Sequence, residues 1–137
     1  MKTKRFIRIP VWCAALAVAF GLGTAVGQQA PPTDTKGIQV TQTSAIDLGS
    51  LEGTQGRQLR LRLITFEPGA VVAIHSHKER PAFAYILQGT LTEYREGGYM
   101  KEYREGEFIT ETPAVTHWAV NNGTKPVVLV GVDVFKP

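Results

Sequence analysis

From Ile38 to the C-terminus, apolar and polar residues alternate in short runs, a pattern that predicts strands and contains no helical window of useful length. Leu59-Arg60-Leu61-Arg62-Leu63 is the plainest case, since period two puts three leucines on one face and two arginines on the other. Glu67-Pro68-Gly69 then signals a turn, and the β-branched run Val71-Val72-Ala73-Ile74 opens the next strand. Phe83 to Leu87 ends at Gly89. Thr90 to Tyr94 and Tyr99 to Tyr103 flank Glu96-Gly97-Gly98, a hairpin signature. Glu107 to Thr110, His117 to Val120 and Val127 to Val134 complete the series. The last run is so apolar that it predicts a strand covered on both faces. Short strands at intervals of roughly ten residues, separated by Gly and Pro, predict an all-β sandwich or barrel. No internal repeat divides the chain, and its 137 residues suit one domain.

The segment before Gln28 follows a different pattern. Lys2, Lys4, Arg5 and Arg8 lead into an apolar stretch from Val11 to Phe20, and Ala25 and Gly27 stand where a signal cleavage site before Gln28 needs small residues. Residues 1–27 therefore read as an export signal, which predicts a periplasmic or secreted protein. The stretch is shorter than the roughly 20 residues of a spanning helix and is weakened by glycines, so a retained membrane anchor is the lesser alternative. Residues 28–37 are polar and Pro-rich and read as a flexible leader, leaving 38–137 as the folded domain.

Charge changes meaning once this segment is set aside. The formal net charge is +3, but residues 28–137 hold 11 Lys and Arg against 12 Asp and Glu. The folded domain has no basic excess, which argues against a nucleic-acid partner. Cys13 is the only cysteine and would leave with the signal, so the mature chain has neither disulfide nor thiolate chemistry.

The candidate chemistry lies in the histidines. His75 and His77 fall on one face of a strand end, about 7 Å apart along it, and two imidazoles aimed at one point suit a borderline divalent cation. His117 comes much later in the chain and can join them only if the fold brings its strand alongside. A His-x-His pair can equally be a hydrogen-bonded part of the core, and the spacing alone leaves both readings open.

The surroundings of these histidines carry a family resemblance. Gly69, five residues, His75, one residue, His77 and eleven residues to Gly89 match the first cupin motif, with Tyr85-Ile86-Leu87-Gln88-Gly89 as its usual ending. Gly106, ten residues, His117, three residues and Asn121 match the second, and the short stretch from Thr90 to Glu105 separates the two. The chain thus resembles the cupin superfamily over most of residues 55–135. The resemblance implies a single jelly-roll β-barrel holding one divalent metal ion on His75, His77 and His117. It does not distinguish Fe, Mn, Zn, Ni or Cu.

One position departs from the family pattern. The resemblance calls for a fourth ligand, a glutamate seven residues before Gly89, and this chain has Ala82 there. Glu79 is the nearest substitute, although Pro81 stiffens the loop and a solvated acid paired with Lys78 or Arg80 is the simpler reading. Cupin dioxygenases with three-histidine iron sites have the same shortage of carboxylates. Two classes of function follow. One is a metal-dependent enzyme, a small-molecule dioxygenase first and an isomerase second, with Glu79, Arg80 or Tyr85 as candidate further ligands or substrate contacts. The other is a non-catalytic periplasmic protein that binds a small ligand or metal. No residue presents itself as a general base. Pairing of two copies through edge strands is a further expectation from the resemblance.

Overall fold

The structure, a computed structural model, describes residues 30–137. The expected export signal and the first two leader residues lie outside the described residues. Eight strands follow in order: β1 (Lys36–Asp47), β2 (Gln58–Ser76), β3 (Ala82–Gln88), β4 (Thr90–Arg95), β5 (Tyr99–Arg104), β6 (Phe108–Glu111), β7 (Thr116–Val120) and β8 (Val127–Phe135). All pair antiparallel, in the order β5-β4-β7-β2-β8-β3-β6, with β1 added against β2. The result is a nearly closed all-β barrel of jelly-roll type. Among the described residues no helix is long and apolar enough to cross a membrane.

The turn expected at Glu67-Pro68-Gly69 is instead a bend within one continuous strand of 19 residues. Gly69 takes φ 75°, a conformation that other residues adopt only with strain. Its N–H donates to Asn121 O at 3.0 Å, and the Asn121 N–H returns to Ala70 O at 2.9 Å. The buried Asn121 amide also reaches Phe66 O at 2.9 Å and Lys125 O at 2.9 Å. These bonds replace the ladder that the bend interrupts. Before the bend β2 pairs with β8 over Gln58–Phe66; after it, β2 pairs with β7 over Val71–Ser76. A strand shared in this way joins the β8 side of the barrel to the β7 side, and here it sets His75 beside β7.

The chain enters the sheet earlier than expected. β1 starts at Lys36, the Ile74 N–H donates to Pro32 O at 2.9 Å, and the Ala73 N–H donates to Thr35 Oγ1 at 3.0 Å. Backbone hydrogen bonds to β2 thus hold part of the stretch read as a leader.

Phe66, Ile86, Leu91, Ile109, Val127 and Leu129 are buried at the base of the barrel. Each contributes about 1.5–3 kcal/mol by leaving water. β8 differs from its expected double coverage. Val127, Leu129, Gly131 and Asp133 are buried, while the alternate valines are half-exposed. One face of β8 lines the barrel and the other faces outward.

Candidate metal centre

Pairing of β2 with β7 sets His75 directly opposite His117. His77, one residue past the end of β2, is held by its N–H to Val115 O at 2.9 Å. The three Nε2 atoms converge, with separations of 3.1 Å (His75–His77), 3.0 Å (His77–His117) and 3.2 Å (His75–His117). His77 and His117 are buried and His75 is half-buried.

The far side of each ring decides its protonation. His75 Nδ1 lies 2.8 Å from Ala73 O, and His77 Nδ1 lies 2.9 Å from Arg80 O. A carbonyl only accepts, so both Nδ1 atoms donate. His117 Nδ1 stands 2.8 Å from a carboxylate oxygen of the fully buried Glu93 and donates to it. Burial pushes Glu93 up, but hydrogen bonds from His117 and Arg95 outweigh it and hold the carboxyl below its ordinary range. Tyr103 donates to its other oxygen at 3.1 Å. Burial holds His75 below its ordinary value and brings His77 down to about 4, so both are neutral at pH 7.

In a neutral ring whose proton is on Nδ1, Nε2 presents a bare lone pair. Three lone pairs at these separations cannot hydrogen-bond one another, and they repel unless a cation lies between them. For metal–nitrogen distances of about 2.0–2.1 Å, neighbouring nitrogens are about 3.0 Å apart in an octahedron and about 3.4 Å apart in a tetrahedron. The observed separations fall in this range. Nδ1 donation to carbonyl or carboxylate is also the arrangement that orients metal-binding histidines. The three histidines therefore form a group that could hold a metal ion.

Glu111 completes the surroundings. Its oxygens lie 3.5 Å from His77 Nε2 and 3.5 Å from His117 Nε2. Burial raises its pKa above the ordinary carboxylate value. In the sheet Glu111 is the direct cross-strand partner of Ala82, so a carboxylate occupies the position next to the one that Ala82 lacks. The histidines, Glu111, Arg62 and Arg80 line a cavity of about 240 Å³ whose remaining wall is largely apolar, including Ile64, Phe66 and Leu129.

Of the other sequence candidates, the fold brings only Arg80 to this cavity. Glu79 points away, its side chain 79% exposed and 3.6 Å from Arg57. Neither Lys78 nor Arg80 pairs with it, because the Arg80 N–H closes a turn onto His77 O at 3.0 Å and sends its side chain to Asp133. Tyr85 is on the outer face of β3, 44% exposed and paired with Phe108 and Val130.

Sequence reasoning missed Glu93, Glu111, Arg62 and Asp133 as members of the site. A signal existed for the two glutamates. Period two places Glu93 with Leu91, and it places Glu111 with Ile109 once the strand is extended one residue past Thr110.

Residues 62–135 match the family described as Cupin domain. No curated protein matches the chain. Among solved structures the chain is similar to a sugar phosphate isomerase of the cupin superfamily from Silicibacter pomeroyi, with 23% identity, a TM-score of 0.51, and coverage of 69% of this chain and 60% of that one. It is also similar to an oxalate oxidase in complex with glycolate, with 19% identity, a TM-score of 0.53, and coverage of 74% and 52%. A third is a double-stranded β-helix domain protein from Klebsiella pneumoniae, with 19% identity, a TM-score of 0.54, and coverage of 77% and 84%. The chain thus spans little more than half the length of the first two.

Proposed function

This chain belongs to the cupin family, and on that footing we propose that it is a metal-dependent enzyme acting on a small molecule inside the barrel. Oxygenation is the first reading and isomerisation the second. The carrying observation is the set of three imidazoles anchored through Nδ1, with Nε2 atoms 3.0–3.2 Å apart, on the wall of a cavity. His75, His77 and His117 hold the ion. A divalent metal there supplies Lewis acidity and, when it is iron, a position for O₂. Glu93 fixes the tautomer and angle of His117. Glu111 supplies from β6 the carboxylate that Ala82 does not, and takes the fourth protein ligand position.

The test has two parts. Elemental analysis of purified protein, as isolated and after loading, gives one metal per chain, and none in His75→Ala; a metal-free wild type would end the proposal. Glu111→Gln keeps the metal at saturation but weakens its affinity by about tenfold or more in a competition titration. Oxygen uptake by the iron-loaded protein, measured over catechols, flavonols and small thiols, then separates oxygenation from the alternative.

The alternative is a non-catalytic protein that captures a small ligand or metal after export. It is favoured by a wall in which Glu111 is the only carboxylate among the lining residues described. Ligand binding by saturated metal protein, with no turnover across the same panel, would select it. Export itself rests on the sequence of residues 1–27. N-terminal sequencing of the protein from the periplasm, beginning at Gln28, tests it.

Pairing with a second copy is the remaining part of the proposal. Leu61, Phe83, Tyr85 and Phe108 are 43–61% exposed, and strand register places them side by side with Val130 and Val132 on the outer face of β2, β8, β3 and β6. A continuous apolar face of this kind is unusual on a solitary domain. The folded domain has almost no net charge to keep two copies apart.

A further inference from the structure

Three guanidinium groups share one carboxylate on the inner face of the barrel. Arg60 alone covers both oxygens of the buried Asp133, Nε to Oδ1 at 3.0 Å and NH2 to Oδ2 at 2.8 Å. Arg62 and Arg80 each add one bond, to the same Oδ2, at 3.1 Å and 3.3 Å. An arginine carries five N–H donors in a fixed fork. Asp133 therefore takes up Arg60 and leaves most of the donor capacity of the other two unused.

These two differ from Arg60 in where they lie. Arg62 and Arg80 line the cavity with the three histidines, whereas Arg60 is set behind it with its guanidinium 3.9 Å over the ring of Phe135. Arg62 Nε is buried and has no hydrogen-bond partner among the described residues. The guanidinium as a whole is partly exposed, its side chain 23% open to solvent, and a buried donor without a partner is the atom a ligand's acceptor would satisfy. Charge points the same way. The charged residues that line the cavity, apart from the histidines, are Arg62, Arg80 and Glu111, so the wall is one charge positive with Glu111 ionised, while Arg60 and Asp133 offset each other outside the lining. Beyond the charged end, Ile64, Phe66, Leu91 and Leu129 make an apolar floor.

We infer that Arg62 and Arg80 form an anion subsite that seats the carboxylate of a small organic acid with an apolar body, beside the three histidines. A planar carboxylate matches the guanidinium fork, and its body continues over the apolar floor. The cavity of about 240 Å³ lies below the usual range for drug-sized ligands, which limits the acid to one about the size of benzoate or hexanoate. The inference rests on the proposed use of the cavity as a substrate site and is independent of the metal.

The experiment is calorimetric titration of metal-loaded and metal-stripped protein with benzoate and hexanoate, and with their neutral amides. Both acids bind in both forms, and each amide binds at least about tenfold more weakly. Arg80→Gln, at a loop position that leaves the strands intact, loses this discrimination while keeping its metal content. Arg62→Lys keeps the charge, loses the fork and binds the acids with intermediate affinity. Amides that bind as well as the acids would overturn the inference. So would acid binding that requires metal and persists in both variants, since the anion would then sit on the metal alone. Failure of the wild type to load metal, with acid discrimination intact, counts against the proposed enzyme and not against this subsite.

Discussion

Over two neighbouring rows, the two faces of the sheet formed by β2, β8, β3 and β6 reverse the usual distribution of polarity. The inner face has the row Arg60, Asp133, Ala82 and Glu111, followed by Arg62, Gly131, Ala84 and Ile109. The outer face has Leu61, Val132 and Phe83, then Leu63, Val130, Tyr85 and Phe108. The next inner row, Ile64, Leu129 and Ile86, is apolar again, whereas in these two rows charges point into the barrel and large apolar groups point out. Small residues make this possible: Ala82, Ala84 and Gly131 leave the space that the arginine side chains and the cavity occupy. The inner charges are tolerable because Asp133 offsets part of the charge of three arginines whose side chains are still partly open to solvent. The outer apolar surface has no such internal compensation, and the proposed second copy would cover it.

The largest effect that would break this comparison is removal of the central acid. Asp133→Ala leaves three guanidinium groups around an empty position and costs about 3–5 kcal/mol in denaturant unfolding. A loss under about 1 kcal/mol would mean that the inner charges are effectively solvated.

Acid separates the inner groups from one another. In metal-free protein, His77 has a folded pKa of about 4 against an ordinary 6.5. The unfolded chain therefore takes up a proton first, and stability falls as pH drops from 6.5 towards 4, by roughly 3 kcal/mol for a shift of this size. His75, lowered for the same reason, adds to the loss. Asp133 behaves differently. Burial raises its pKa, but the three arginines outweigh burial and bring it below 3.8. Its contribution is complete above that value and disappears only at lower pH. Thermal melts between pH 7 and 3 should thus show a first decline that His77→Gln makes shallower. A melting temperature flat down to pH 4 would contradict the neutral-histidine assignment.

The smallest change in folding belongs to the outer face. Phe83→Glu alters stability of the separated chain by no more than about 0.5 kcal/mol. It shifts the protein from dimer to monomer in sedimentation. An unchanged sedimentation coefficient would remove the second copy from the proposal and leave the exposed face unexplained.

Much of the site was legible before the fold was known. The three histidines stood out because their spacing to Gly69, Gly89, Gly106 and Asn121 agreed with two motifs at once. Glu79 was the nearest acid in the sequence, and it proved remote in space because a tight turn at His77 to Arg80 directs it to Arg57. Glu111 was remote in the sequence and proved adjacent, because β3 and β6 pair Ala82 with it. In sequence, Glu67-Pro68-Gly69 signals a turn. It became a bend because Asn121, distant in the sequence, supplied the missing hydrogen bonds.

What the chain determined alone was local: which residues alternate, which share a face, and where backbone geometry demands glycine. These follow from the stereochemistry of the extended strand and require no partner. The fold decided which face became the interior, which strand lay beside which, and therefore which carboxylate met the histidines. Such choices depend on antiparallel register between segments distant along the chain. One residue of slip in β2, β8 or β6 would turn Arg62, Asp133 or Glu111, respectively, outward.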